Sequence, residues 1–218
     1  GSTKVMSWKT LPGCRTVGNS GFLNTAWGSV NTSAKIQAGD TIEIKAGTTL
    51  NSSVCGKLEI SSAYYSNGNS SSPVVILVSS NWGTGDFVYN GTGMTVPQYD
   101  CLLSINSVNY IVVKGNSNFR KFLLKNTAGS DVWCFNSQGN SSSHQKGLSL
   151  QYLEADSSGM GGINISYSDT FIVSRCVAHD NASIGFAVGG INDELCNYGR
   201  FLDCLSFKNG GPSSSAIA

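Results

Sequence analysis

The chain has 218 residues and a mass of 22.9 kDa, the size of one domain or at most two small ones. Charged residues make up 12% and the net charge is +1, with no run of Lys or Arg, so the electrostatic footprint of a nucleic-acid or anionic-membrane binder is missing. Gly (26), Ser (34) and Asn (20) carry the polarity instead, and 40% hydrophobic residues suffice for a core, which excludes wholesale disorder.

Gly1-Ser2 reads as a cloning remnant, and no charged-then-apolar signal segment follows it, so any export signal is expected to have been removed. Helical periodicity fails nearly everywhere, because Gly or an Asn/Ser cluster interrupts every stretch of apolar positions at i, i+3, i+4, i+7. Short β-rich runs recur instead, each bounded by Gly, Asn or Ser: Thr41–Ile44, Val74–Val78, Tyr110–Val113, Val132–Phe135, Leu148–Leu150, Ile163–Ile165, Phe171–Val173, Phe186–Val188 and Phe201–Leu202. The longest apolar run, Pro73–Val78, is far short of the ~20 residues of a membrane span, so a soluble chain is expected.

Many short strands with polar turns suit either a hairpin-built sandwich or barrel, or a solenoid of stacked coils. The last third aligns on itself. Leu148-Ser-Leu-Gln-Tyr152-Leu-Glu-Ala-Asp156 is followed by Ile172-Val-Ser-Arg-Cys176-Val-Ala-His-Asp180, then by Arg200-Phe-Leu-Asp-Cys204-Leu-Ser-Phe-Lys208. That alignment makes Tyr152, Cys176 and Cys204 equivalent, 24 and 28 residues apart, which is the spacing of solenoid repeats. A second strand follows each first one, as in Gly162–Ser166 and Gly185–Gly189, an order hairpins do not produce.

On these residues the chain resembles the right-handed parallel β-helix proteins of the pectate-lyase superfamily, closest in coil pattern to family 9 pectate lyases. Ala38-Gly39-Asp40-Thr41-Ile42-Glu43-Ile44 to Thr48 looks like the opening coil of those helices. Ser72–Ile76, Tyr110–Gly115 and Cys204–Gly210 are similar to successive later coils. The resemblance covers roughly residues 30 to 211 and implies an all-β fold: a helix of about seven coils over residues 30–218, an N-terminal cap over residues 3–29 with Trp8 and Trp27, and a C-terminal end that is open or truncated. An open end implies either a continuation or a homo-oligomer contact there.

A parallel solenoid displays the outward side chains of stacked strands as columns about 4.8 Å apart, and such columns make sites. The alignment stacks Gln151, Arg175 and Asp203 in one column and Asp156, Asp180 and Lys208 in another, with Glu154 beside them and His179 adjacent. One reading is a groove for an extracellular polysaccharide, in which the carboxylates and Arg175 bind hydroxyls or uronate groups. In a lyase, a Lys or Arg would then take the C5 proton beside a cation such as Ca²⁺. The other is solvated cross-coil pairing, Arg175 with Asp203 and Asp180 with Lys208, in a non-catalytic structural or adhesive solenoid such as a phage tail-spike body or surface adhesin.

The resemblance places the catalytic Lys in an Ala-Asp-Gly-Phe…Lys segment after a coil ending like Phe207–Gly210, whereas here Gly211–Ala218 follows. Lyase activity is therefore expected only of a protein that continues past Ala218. No Asp triplet of the polygalacturonase kind is evident either. His144 and His179 are the only histidines, with no G-x-S-x-G around them.

The seven cysteines lack metal-ligand spacing, and their odd count leaves at least one thiol free or paired between chains. Cys176 and Cys204 are expected to pack as core residues. Sequons at Asn31, Asn51, Asn69, Asn90, Asn140, Asn164 and Asn181 favour a secreted or surface setting. Trp82, Tyr64, Tyr65, Tyr89 and Tyr99 lie in polar segments where they could stack on sugar rings. Gly161-Gly162 and Gly189-Gly190 precede no helix and are read as tight coil corners.

Overall fold

The computed structural model describes residues 11–15, 35–51, 53–94, 100–116, 121–125, 131–189 and 196–210, and no helix occurs among them. The strands fall into successive circuits. The first is β1 (Thr41–Ala46), β2 (Thr49–Asn51) and β3 (Leu58–Ser61), and the second β4 (Val74–Gly83), β5 (Phe87–Asn90) and β6 (Cys101–Asn106). The third is β7 (Ile111–Lys114), β8 (Phe122–Lys125) and β9 (Trp133–Gln138), followed by the short β10 (Gln145–Lys146). The fourth is β11 (Ser149–Gln151), β12 (Leu153–Asp156) and β13 (Gly161–Ser166), followed by β14 (Ser168–Asp169), which pairs with β10. The fifth is β15 (Ile172–Ser174), β16 (Val177–His179) and β17 (Ile184–Val188), and β18 (Arg200–Leu202) and β19 (Leu205–Phe207) begin a sixth.

Each circuit adds one strand to each of three parallel sheets. Sheet 1 is β1-β4-β7-β11-β15-β18, sheet 2 is β2-β5-β8-β12-β16-β19 and sheet 3 is β3-β6-β9-β13-β17, an order consistent with a β-solenoid. The described residues thus hold five full circuits and part of a sixth, against the seven expected.

Alternation builds the core. In β1 the pattern is exposed-buried throughout, so Ile42, Ile44 and Ala46 point inward. Parallel register then stacks like on like: Ile42, Ile76, Val113, Leu150, Val173 and Phe201 form one inward column of sheet 1. Leu50, Tyr89, Leu124, Ala155, Ala178 and Ser206 form its counterpart in sheet 2. Tyr65 and Tyr89 are therefore core residues and not sugar platforms, their hydroxyls donating to the Pro12 and Gly56 carbonyls. Tyr64 packs against the same core, Trp82 is exposed, and Tyr99 lies outside the described residues.

The corners explain how short strands change direction without glycine. Tyr152, Arg175 and Asp203 turn the chain from sheet 1 to sheet 2 with φ of 54°, 52° and 53°; Ser157, Asp180 and Lys208 end the sheet 2 strands with φ of 55°, 52° and 51°. One residue in the left-handed region suffices to redirect a strand, and the stacked corners repeat it coil after coil. Gly161 and Gly162 are not at a corner; they open β13, where a Cβ on Gly161 would sit 2.2 Å from the Trp133 ring.

Next to the second corner runs an amide ladder. Asn181 Oδ1 accepts the Ser158 N–H at 3.0 Å, while its Nδ2 donates to Asn209 Oδ1 at 2.8 Å and to the Ala155 carbonyl at 3.3 Å. A second amide pair, Asn164 to Asn136 at 3.1 Å, lies buried in sheet 3. Two sequons are thus buried structural amides, and at Asn69, Asn90 and Asn140 the side-chain oxygen closes a local turn by accepting the N–H two residues on.

At the N-terminal end Cys14 is disulfide-bonded to Cys55 and bridges Leu58 of β3, and Arg15 pairs with Glu59 at 2.7 Å. The remainder of the expected cap, with Trp8 and Trp27, lies outside the described residues. Cys101, Cys134, Cys176, Cys196 and Cys204 are free. Hydrogen bonding to Cys204 and burial push the Cys176 thiol up, which keeps it protonated and inert.

Candidate functional site

The observed register shifts the expected columns. Glu154 pairs with Val177 and Val177 with Leu205, so Leu153, not Tyr152, is equivalent to Cys176 and Cys204. Gln151 stacks with Ser174 and Leu202, while Arg175 and Asp203 sit one residue further on, at the corner beside Tyr152. Asp156 likewise stacks with His179 and Phe207, leaving Asp180 and Lys208 at the next corner with Ser157. Each expected column therefore joins one strand position, Gln151 or Asp156, to two positions of a neighbouring corner ladder.

The corner ladder is a solvated pairing. Arg175 Nε lies 3.7 Å from Asp203 Oδ2, its Nη1 donates to the Tyr152 hydroxyl and its guanidinium lies over the Tyr152 ring, with the ion-pair side chains 60% and 76% exposed. An ion pair that open to water has little energetic weight. Asp180 is not bonded to Lys208 among the described contacts; it turns instead to His179.

The strand ladder on the outer face of sheet 2 is denser. His179 projects outward from β16 between Asp156 below and Phe207 above, and the Phe207 ring stacks on it at 4.9 Å and 7°. Its Nδ1 lies 2.6 Å from Asp180 Oδ2 and 3.6 Å from Asp156 Oδ1, and its Nε2 lies 3.2 Å from Glu154 Oε1. Lys121 pairs with the other oxygen of Glu154, and the Ser157 hydroxyl donates to Asp156 Oδ1 at 2.6 Å. Partial burial opposes the charged imidazole, but hydrogen bonds to Asp180 and Glu154 and the charges of Asp156 and Glu154 outweigh it, so His179 is raised above its ordinary 6.5. With carboxylates at both ring nitrogens, the imidazolium donates twice and is locked in orientation.

Sequence comparison missed three members of this face: Lys121, Lys125 and Phe207. Lys125 pairs in register with Asp156 and continues the column downward through Asn90 and Asn51. Phe122-Leu-Leu-Lys125 shows no apolar/polar alternation; the available signal was the Lys that closes this run as Asp156 closes Leu153-Glu-Ala-Asp156, but the repeat alignment began one coil too late to use it. The full outward column is Asn51, Asn90, Lys125, Asp156, His179 and Phe207, spaced by strand separation at about 4.8 Å.

Ligand atoms of Asp156, His179 and Asp180 lie within 4.8 Å of one another, close enough for one metal ion. The set does not fit Ca²⁺, which takes six to eight oxygen ligands, because one of its three donors is an imidazole nitrogen already engaged by Asp180. Chemically the face is an alternation of fixed acceptors and cationic donors. His144, by contrast, binds Asp169 at 3.0 Å at the turn between sheets 3 and 1, and among the described residues neither imidazole bonds a Ser or Cys. No family model matches the chain, and neither a curated protein nor a solved structure is significantly similar to it.

Proposed function

We propose that this protein is a right-handed parallel β-helix of the pectate-lyase type that recognises an extracellular polysaccharide on the outer face of sheet 2. One observation carries the reading: the column from Asn51 to Phe207 offers amide, ammonium, carboxylate, imidazolium and aromatic groups at the regular spacing of the coils. A polymer of sugar rings presents hydroxyls, ring faces and, in uronates, carboxylates at regular intervals, so such a row matches it along its length. The Cys14–Cys55 disulfide supports an exported setting, since disulfides persist in oxidising compartments.

The reading is binding rather than proton transfer, because both nitrogens of His179 are already held by carboxylates. A structural solenoid is the second reading, favoured by the internal pairing of Lys121, Glu154, His179 and Asp180. Calorimetric titration with a panel of neutral and uronate polysaccharides separates them, using the native chain, Lys125→Ala and Asp156→Ala. Saturable binding that both variants lose while keeping their melting curves supports recognition. Absence of binding across the panel, or variants that bind like the native chain, leaves the structural reading. Unsaturated uronate product in the same mixtures would add lyase activity.

A further inference from the structure

We propose that Asp156, His179 and Asp180 form a binding site for one divalent transition-metal ion, Zn²⁺ by the chemistry of the donors. The site stands apart from polysaccharide recognition, because it rests on the geometry of the donors and of the groups that hold them. The fold brings three residues of two circuits to one point. Asp156 of β12 and His179 of β16 are in register, so their outward side chains are neighbours on the same face. Asp180 would leave that face if β16 simply continued, since successive strand residues point to opposite sides. Its φ of 52° ends the strand instead and turns its carboxylate back to the imidazole, with Oδ2 2.6 Å from Nδ1.

The distances suit one ion. The three ligand atoms all lie within 4.8 Å of one another, and Asp156 Oδ1 is 3.6 Å from Nδ1. Donors bound tetrahedrally at about 2.0–2.2 Å stand about 3.3–3.6 Å apart, so Asp156 is already at ligand separation. The 2.6 Å contact to Asp180 is that of a shared proton. It opens to ligand separation when the Asp180 side chain, at an exposed corner, swings out by about 1 Å. The ion then takes the place of the Nδ1 proton, which passes to solvent.

Residues outside the donor set prepare the imidazole as a ligand. Nε2 lies 3.2 Å from Glu154 Oε1, and Lys121 holds the other oxygen of Glu154. That carboxylate fixes a ring proton on Nε2 and leaves Nδ1 as the lone-pair nitrogen, the arrangement that metal-bound histidines adopt. A lone pair facing the Asp180 and Asp156 oxygens requires a proton or a cation between them. The Ser157 hydroxyl orients Asp156 at 2.6 Å, and the Phe207 ring stacked at 4.9 Å fixes the imidazole plane. Donor type selects the ion: one imidazole and two carboxylates without a thiolate suit Zn²⁺, whereas Mg²⁺ and Ca²⁺ take oxygen alone and Cu⁺ takes sulfur. Two carboxylates balance the charge of the ion, and with three protein ligands a fourth position stays open to water.

Calorimetric titration of Zn²⁺ into the chelator-treated 218-residue chain, without saccharide, reads the site separately from polysaccharide recognition. One ion per chain is expected, bound at least about tenfold more weakly by Asp180→Asn and His179→Gln and unchanged in His144→Gln. Glu154→Gln keeps the three donors and, as the change of a positioning residue, should weaken binding about 10–100-fold. X-ray absorption at the zinc edge of the native chain does not depend on a variant folding. It should show nitrogen and oxygen neighbours at about 2.0–2.2 Å and no sulfur at about 2.3 Å from the free cysteines. A native chain that binds no Zn²⁺ overturns the proposal. So does zinc with sulfur neighbours, or binding that Asp180→Asn and His179→Gln retain at full strength.

Discussion

Asn181 offers the sharpest test of how the corners are held. Its side chain is 2% exposed and satisfies the Ser158 N–H and the Ala155 carbonyl below it while bonding Asn209 above. Asn181→Ala removes the acceptor and both donors at once. Leaving a buried polar group unpaired costs about 1–3 kcal/mol, and with two backbone groups stranded the expected loss is about 3–4 kcal/mol. Asn209→Ala, at the half-exposed end of the same ladder, loses the donor to the Ala178 carbonyl and Ser206 hydroxyl and the oxygen that accepts the Asn181 N–H and Nδ2; at this half-exposed end water can replace part of these bonds, and about 1–2 kcal/mol is expected. Urea unfolding followed by far-ultraviolet circular dichroism reads both. With a slope of about 2 kcal/mol/M, Asn181→Ala should lower the midpoint by about 1.5–2 M. A shift for Asn181→Ala no larger than that of Asn209→Ala would refute the idea that the ladder, rather than the strands alone, fixes the coil geometry.

Three further outcomes follow from the same geometry. Because the folded pKa of His179 is raised, its contribution to stability is fully present below about 6.5 and is lost as pH rises through the folded value; His179→Gln should flatten that part of the stability profile, while an unchanged profile would show that Glu154, Asp156 and Asp180 do not hold the imidazolium. Gly139→Ala places a Cβ 2.2 Å from the Tyr167 carbonyl oxygen, a backbone atom that cannot step aside, and should cost about 1–3 kcal/mol in thermal or urea melts; a neutral result would mean that the coils can shift there. Arg175→Ala removes an exposed corner pair with Asp203 and the guanidinium's contacts with Tyr152 at the same solvated corner, and should leave the melting curve and polysaccharide affinity unchanged, so a clear loss of either would restore the corner ladder as a working site.

What was legible in the sequence depended on regularity. Thr41 pairs with Val75, Val75 with Val112, Val112 with Ser149, Ser149 with Ile172 and Ile172 with Arg200, so successive circuits are 34, 37, 37, 23 and 28 residues long. Only the last circuits lack long connecting loops, and only there did the repeat show. Sheet 1 strands were found because Val, Ile and Leu cluster in them between polar turns. Their sheet 2 partners β12, β16 and β19 were not separated from them, because the corner between is a single Tyr152, Arg175 or Asp203 in the left-handed region, with no Gly or Pro to mark it. The same missing mark allowed the one-residue slip that stacked Asp156 with Asp180 instead of His179. In a period-2 element such a slip exchanges a strand position for a corner. Phe207 escaped notice for a related reason: its ring matters through the imidazole beneath it, which only the register reveals.

The central claim, that the His179 column is the face that meets a saccharide, is tested most directly by the two histidines themselves. Nitrogen-detected nuclear magnetic resonance resolves the imidazoles of His179, among Glu154, Asp156 and Asp180, and of His144, beside Asp169 between sheets 3 and 1. Titration with polysaccharides should shift the His179 ring signals saturably and leave those of His144 in place. Signals of His179 that no polysaccharide moves, or a response confined to His144, would contradict the account.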